Sequence, residues 1–150
     1  MKFTNRLSFI SAAILVLALT SCGTAYHVEW NAARGQAHAP GSIEGAWEGS
    51  WHSIVNGHSG TLWCLIKDGS STERTFAYRA TWGRFLSGGF RATHQLQRNG
   101  DRTTFVVDQP LGKLGRFHGE GTIGADKFSA CYRAAGDRGT FELTRPLPNR

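Results

Sequence analysis

The stretch Gly45-Ala46-Trp47-Glu48-Gly49-Ser50-Trp51-His52-Ser53 alternates two kinds of residue, and this period of two decides the fold. In an extended chain its two tryptophans lie on one face, whereas Glu48 and His52 lie on the other. An apolar face opposite a polar face is typical of a half-buried β-strand. The stretch therefore predicts a first strand that packs Trp47 and Trp51 against a core.

The same alternation recurs along the rest of the chain, interrupted by turn residues about every 10 to 15 positions. The further predicted strands are Thr61–Lys67, Phe76–Trp82, Phe90–Gln97, Thr103–Asp108, Phe117–Ile123, Phe128–Tyr132 and Phe141–Arg145. Asn99-Gly100 is a strong hairpin signal, whereas Gln109–Leu114 contains a proline and is predicted to be a loop or bulge. Short connections favour antiparallel neighbours, and eight strands suit a closed barrel that leaves no exposed sheet edge. We therefore expect an all-β, eight-stranded, antiparallel up-and-down barrel, with a two-sheet sandwich as the alternative.

Most aromatic residues of the predicted strands share the inward parity. These residues are Trp47, Trp51, Phe76, Tyr78, Trp82, Phe90, Phe105, Phe117, Phe128, Tyr132 and Phe141. Their rings either fill the barrel or line a pocket for one small apolar molecule. In the second case the candidate ligand-binding residues are Trp51, Tyr78, Trp82, His94 and Tyr132.

The first residues carry an export signal. Lys2 and Arg6 supply positive charge, and the apolar run Leu7–Leu19 is too short for a membrane-spanning helix, which needs about 20 residues. The small residues that lead into Cys22 resemble the lipobox of bacterial lipoproteins. The resemblance implies cleavage before Cys22, a diacylglyceryl group on its thiol and an acylated amino group. The alternative is ordinary secretory cleavage, for example after Ala25, without lipid.

These features predict three segments: a lipoprotein signal peptide (1–21), a lipid-anchored tether (22–42) and the barrel domain (43–150). Two aromatic residues interrupt the tether, Tyr26 and Trp30, and they would dock on the barrel or lie in the membrane interface. The predicted location is the extracytoplasmic side of the bacterial cell envelope. Gly23, rather than Asp, after the cysteine is compatible with the outer membrane in a cell that has two membranes.

Gly45-x-Trp47 on the first strand and Arg145 on the last resemble the pattern of lipocalin-like (calycin) barrels. The resemblance implies that Trp47 closes the floor of the barrel beneath the Arg145 side chain. The longer string from Gly45 through Gly57-His58 also resembles uncharacterised bacterial lipoproteins with lipocalin-like barrels. That resemblance implies a location and a fold but no particular activity.

The two cysteines after Cys22 are an even pair, which invites a disulfide in an oxidising compartment. Cys64 and Cys131 fall on the second and seventh strands, which are not neighbours around an eight-stranded ring, and Cys131 has the outward parity. A disulfide needs Cα atoms within about 7 Å. We therefore expect two unpaired thiols.

The residue pattern gives no sign of an enzyme or of a cofactor. None of the six histidines lies in a close-spaced metal-ligand pair, and no nucleophile elbow or phosphate-binding glycine loop is present. Without residues 1–21 the chain has 15 Lys and Arg against 11 Asp and Glu, with no basic block for nucleic acid. We expect a non-enzymatic, lipid-anchored lipoprotein of the cell envelope with no specific activity assigned, for which a small apolar ligand in the barrel is one candidate. The alternative is a packed barrel that acts through its surface, as an envelope structural protein or an inhibitor of a secreted hydrolase.

Overall fold

A computed structural model describes residues 24–36, 38–112 and 115–147, and it forms an all-β barrel with one short helix. The predicted signal peptide (1–21) and Cys22 lie outside the described residues. The strands are β1 (Gly45–Ser53), β2 (Ser59–Ile66), β3 (Glu73–Trp82), β4 (Leu86–Asn99), β5 (Arg102–Pro110), β6 (Arg116–Ile123), β7 (Lys127–Ala134) and β8 (Asp137–Thr144).

Each strand pairs antiparallel with the next, and β8 returns to pair with β1. The closing ladder runs from Glu48 opposite Thr144 to Ser53 opposite Gly139. Closure leaves no unpaired sheet edge, so the eight-stranded barrel is confirmed and the two-sheet sandwich is excluded.

The barrel has two different ends. The connections β1–β2, β3–β4, β5–β6 and β7–β8 lie at one end, which we call the loop end. At the other end, which we call the base, the chain enters β1 at Gly45 and leaves β8 after Thr144.

The predicted loop Gln109–Leu114 is wrong at its start, because Gln109 and Pro110 continue β5 and pair with Phe117 and Arg116. Proline is tolerated here because it occupies the last position of the strand, where its missing N–H interrupts no continuing ladder.

Inward-facing side chains form one core cluster along the barrel axis. Among its fully buried members are Trp47, Phe76, Phe128, Leu62, Ile66, Ile123, Leu143 and Cys64. Burial of such apolar side chains, at about 25 cal/mol per Å² removed from water, is the main stabilising term of the fold.

A helix, α1 (residues 24–34), lies against the outside of β1, β2 and β3. Tyr26 and Trp30 are buried there, in a second apolar cluster with Ala46, Leu65 and Ala77 of the barrel wall. Part of the segment interpreted as a tether is therefore a helix docked on the barrel, which is the arrangement expected if the two aromatics bind the wall. The reason is that β2 is apolar on both faces, so its outer face also requires cover.

Candidate functional site

Two of the five candidate ligand-binding residues, Tyr78 and His94, meet inside the barrel. The Tyr78 hydroxyl lies 3.0 Å from Nε2 of His94, and both side chains are buried. His94 also stacks on Phe76, with ring centroids 3.9 Å apart and planes 11° from parallel. Both polar groups are thus engaged within the core rather than presented to a cavity.

The hydrogen bonds of His94 define its protonation state. Nδ1 lies 3.0 Å from the Ala92 carbonyl oxygen, which can only accept, so Nδ1 carries the proton. Nε2 is then free to accept from the Tyr78 hydroxyl. Burial lowers the pKa of His94 from 6.5 to about 4, so the imidazole is neutral at physiological pH. Burial also raises the pKa of Tyr78 well above its ordinary value.

Trp51 lies nearer the loop end and has a different partner. Its indole N–H donates to the Thr81 carbonyl across 2.9 Å, which links β1 to β3 over the intervening strand. The indole crosses Gly60 of β2, where an added Cβ would lie 2.7 Å from Nε1 of Trp51 and closer still to the Thr81 carbonyl. A side chain at position 60 would collide with the indole, so glycine there allows the Trp51 ring to pass over β2 and reach β3.

Tyr132 and Trp82 complete the candidate set. The Tyr132 ring stacks on Phe141 at 4.8 Å, and its hydroxyl donates to Oδ2 of Asp137 across 2.9 Å. Trp82 is 39% exposed and lies over Gly88 at the loop end. Trp82 has the inward parity but is not enclosed, because β3 ends at this residue.

Sequence reasoning missed a polar cluster around Asp137 at the loop end. Ser53 donates to Oδ1 of Asp137 at 2.5 Å and accepts hydrogen bonds from the N–H groups of Val55 and Asn56. Burial alone would raise the pKa of Asp137, but the hydrogen bonds from Ser53 and Tyr132 outweigh it and the pKa is lowered. A serine at the inward parity, next to a turn, was the available signal. The cluster fixes the β1–β2 turn to β8.

Rings occupy the middle of the barrel in direct succession. Phe76 lies 5.6 Å from Phe105 and 6.1 Å from Phe128, and Tyr78 lies 5.7 Å from Phe141, centroid to centroid. These separations are those of ring pairs in contact. The aromatic residues thus pack across the interior instead of lining a single pocket.

At the base, the guanidinium of Arg145 lies 3.9 Å from the centroid of the Trp47 ring. Arg145 also donates to the carbonyls of Ser42, Glu44 and Ala46 at 2.7, 2.6 and 3.3 Å. Burial lowers the pKa of Arg145 to about 10, so it stays charged at neutral pH. Trp47 and Arg145, which the resemblance to lipocalin-like barrels places together, are therefore in contact at the base.

Gly45, the third residue of that pattern, has a φ of 94°, in the region that favours glycine. An added Cβ would lie 2.1 Å from the His38 ring. His38 therefore packs directly on the backbone where the chain enters β1.

The two described cysteines differ in environment. Cys64 is buried in the core and Cys131 is exposed on the outside of β7. Both thiols are free. Cys64 lies on β2, which pairs with β1 and β3, so its strand is not adjacent to β7, which carries Cys131. Burial raises the pKa of the Cys64 thiol well above its ordinary value, which makes it a poor nucleophile.

The described part of the chain has neither a cluster of metal-binding side chains nor a membrane-spanning helix. There, no three His, Cys, Asp or Glu side chains lie together in a way that could hold a metal ion. No helix within the same ranges is both long and apolar enough to span a bilayer.

Comparison with known proteins supports the fold alone. No protein-family model matches the chain, and no curated protein matches it significantly. A solved structure described as a de novo designed fluorescence-activating β-barrel is similar, with 16% sequence identity and a TM-score of 0.51. The match covers 74% of this chain and 100% of the designed one. By fold, the protein is an eight-stranded antiparallel β-barrel.

Proposed function

We propose that this protein is a lipid-anchored, non-enzymatic lipoprotein of the bacterial cell envelope, whose packed barrel acts through its outer surface. The observation that carries the proposal is the succession of aromatic contacts through the interior, from Phe76 and Phe105 to Tyr78 and Phe141. Because these rings contact one another, side chains fill the centre of the barrel, as is usual for eight-stranded barrels.

The anchoring part of the proposal rests on the sequence. A positive start, a short apolar run and small residues before Cys22 form a lipoprotein-type signal. Under this proposal the acyl chains on Cys22 hold the protein at the extracytoplasmic face, at the outer membrane where two membranes are present. A structural envelope protein and an inhibitor of a secreted hydrolase both fit such a surface role.

The non-enzymatic part is supported by the engagement of the polar side chains near the interior. His94 is neutral and bonded on both nitrogens, and Ser53 is buried with its hydroxyl directed to Asp137. Neither residue presents a free lone pair or proton to a substrate-sized opening.

A second candidate, binding of a small apolar ligand, is favoured by one observation at the loop end. Trp51, Phe90 and Tyr132 are only partly buried where they pack on the core. A ligand there would contact these rings from the loop end without entering the central barrel.

The two candidates are separated by adding a monomeric fatty acid, below the concentration at which it forms micelles and without any bilayer, to the mature protein. We expect the tryptophan emission and the native mass to be unchanged. The packed barrel should instead recover a defined envelope protein when cells expressing it are treated with a crosslinker. A stoichiometric lipid complex that shifts tryptophan emission would contradict the packed barrel and support the carrier.

A further inference from the structure

Apolar side chains are concentrated at the loop end of the barrel. Among the described residues, eight large hydrophobic side chains are exposed, and five of them lie at or beside two loop-end connections. These five, which we call the apolar rim, are Ile54, Val55, Trp82, Phe85 and Leu86. Phe85 is 92% exposed, and exposed apolar residues that form a contiguous patch mark interaction sites.

The two connections that carry the apolar rim are neighbours around the barrel. The β1–β2 and β3–β4 connections flank the paired strands β2 and β3, and the Trp51 indole N–H donates to the backbone carbonyl of Thr81 between them. The Thr61 N–H also donates to the Thr81 hydroxyl at 3.1 Å. Both connections are therefore held side by side.

The charges around the apolar rim are mainly positive. Arg84 lies within the β3–β4 connection, and Arg116, Arg133 and Arg138 are exposed at the same end. Among the described carboxylates there, Asp108 pairs with Arg116 at 2.6 Å, Asp137 is bonded to Ser53 and Tyr132, and Glu120 lies in a groove with Ile54, Arg133 and Arg138.

The base carries both signs of charge in and beside its connections. Asp68, Asp101 and Asp126 lie in the three hairpin connections at that end. Lys67, Arg102 and Lys127 lie in or directly beside the same connections, so the base is mixed in charge, whereas the apolar rim lies at the loop end.

The direction of helix α1 shows towards which end of the barrel the helix begins. His27 packs on Trp63, in the middle of β2, whereas Glu29 pairs with Lys67 beyond the base end of that strand. The helix therefore runs from the side of the loop end towards the base. Trp63 lies four residues from the loop-end start of β2, a distance of about 13 Å.

One turn of helix from His27 back to Thr24 covers about 4.5 Å of that distance. The two residues from Thr24 back to Cys22 reach about 7 Å at full extension. At most these two lengths cover about 11.5 Å of the distance, so the acylated side chain of Cys22 has to span the remaining distance of about 1.5 Å to the level of the loop end.

We propose that the loop end docks on an anionic phospholipid bilayer, with the apolar rim in the interfacial region and the arginines at the headgroups. Tryptophan is enriched at that depth, apolar area drives interfacial binding, and basic residues are attracted to anionic lipid. The inference rests on the proposed function, since the lipid on Cys22 would bring this end to the membrane. It adds a fixed orientation, with the base pointing away from the bilayer.

The test measures the depth of two single labels in the full-length protein after export and purification. A fluorophore is attached through Val55→Cys at the apolar rim, or through Asp126→Cys at the base, in a Cys131→Ser background. The protein is reconstituted into vesicles of phosphatidylethanolamine and phosphatidylglycerol that contain a nitroxide-labelled lipid. We expect strong quenching of the label at position 55 and none at position 126.

Matched variants assign the contact to the apolar rim. Phe85→Ser/Leu86→Ser should remove the quenching at position 55, whereas Leu147→Ser, at an exposed leucine beyond β8, should leave it unchanged. Equal quenching of both labels, or none at position 55, would overturn the proposal. Shielding of position 55 from aqueous iodide without vesicles, together with a dimeric mass, would also overturn it and assign the rim to a second copy.

The experiment distinguishes a protein that lacks the lipid on Cys22 from a protein whose rim does not contact the membrane. The intact mass of the same preparation reports acylation of Cys22 independently of the label depth. If Cys22 is unmodified, the unlipidated protein is sedimented with the same vesicles. Arg84→Gln should then weaken its binding about fivefold, as expected for one basic residue at an anionic surface. Binding that is unaffected by Arg84→Gln and Phe85→Ser/Leu86→Ser would overturn the rim proposal by itself.

Discussion

At the scale of single residues, the fold encloses two titratable side chains in opposite charge states. His94 is neutral in the middle of the barrel, where its two nitrogens have one donor and one acceptor as partners. Arg145 is charged at the base, where three carbonyls and the Trp47 ring replace water. Each arrangement has a measurable effect on stability.

The buried histidine makes the barrel less stable as the pH falls. The unfolded chain binds a proton on this residue below pH 6.5, whereas folded His94 binds one only near pH 4. Protonation therefore favours the unfolded state, and stability is lost as the pH drops through that window. Between pH 7 and pH 5 we expect the free energy of unfolding to fall by about 2 kcal/mol.

Urea unfolding at the two pH values measures this loss. The control, Tyr78→Phe/His94→Phe, replaces both hydrogen-bonding partners with apolar rings and leaves no orphaned polar group. It should fold at pH 7 and should lose most of the difference between pH 7 and pH 5. His38 has a lowered pKa too, but it is present in both proteins. An equally steep pH dependence in the double variant would contradict the role of His94.

Replacement of Arg145 tests the floor of the barrel. Arg145→Met removes the donors to three carbonyls and the cation over Trp47, so unfolding should become easier by about 3 kcal/mol. Arg145→Lys keeps the charge but not the fork of donors, and it should recover only part of the loss. Thermal denaturation of the three proteins measures the effect, and wild-type stability in Arg145→Met would refute it.

At the scale of elements, helix α1 is an integral part of the barrel rather than a spacer. Trp30 is buried against β1 and donates to the Trp47 carbonyl at 3.4 Å. Trp30→Ala should lower the free energy of unfolding by about 3 to 4 kcal/mol, because it leaves a cavity between helix and wall. Val28→Ala, on the exposed face of the same helix, should change it by less than about 0.5 kcal/mol.

Chemical denaturation and limited proteolysis would show this difference. Trp30→Ala should also expose the α1 segment to a protease that spares the barrel, whereas Val28→Ala should not. Equal stability of the two variants would mean that α1 contributes no packing energy.

The strands were predictable from the sequence and the helix was not, for a physical reason. A period of two in Gly45–Ser53 specifies both the strand and its buried face, because adjacent side chains point to opposite sides. The helical spacing of Tyr26, Trp30 and Ala33 lies within a segment rich in small residues, so the period was short and weak. The stronger signal was the apolar outer face of β2, at Trp63 and Leu65, which needed a cover.

The candidate site was likewise predictable only in part. Parity placed Tyr78 and His94 inside and on neighbouring strands, but it could not report the register that brings their polar atoms within 3.0 Å. Parity also failed at Trp82, because a side chain at the end of a strand has wall on one side only. Ser53 and Asp137 lie far apart in sequence and meet only because β8 closes on β1.

At the scale of the whole molecule, barrel closure determines the reactivity of the cysteines. In the native protein a thiol reagent should modify Cys131 rapidly and leave Cys64 unmodified, because Cys64 is enclosed and its thiol pKa is raised. Mass spectrometry of labelled peptides in water and in urea measures both sites. Rapid native labelling of Cys64 would show that the barrel opens, and loss of labelling at both sites under urea would show a disulfide.

The central claim is that this barrel acts at the membrane as a lipoprotein, and the intact mass of the mature protein tests it most directly. Protein extracted from cell membranes should begin at Cys22 and carry the added mass of a diacylglyceryl group and an N-linked acyl chain. Cys22→Ser should abolish that modification and the membrane retention that depends on it. An unmodified mature chain that begins elsewhere, for example after Ala25, would contradict the account.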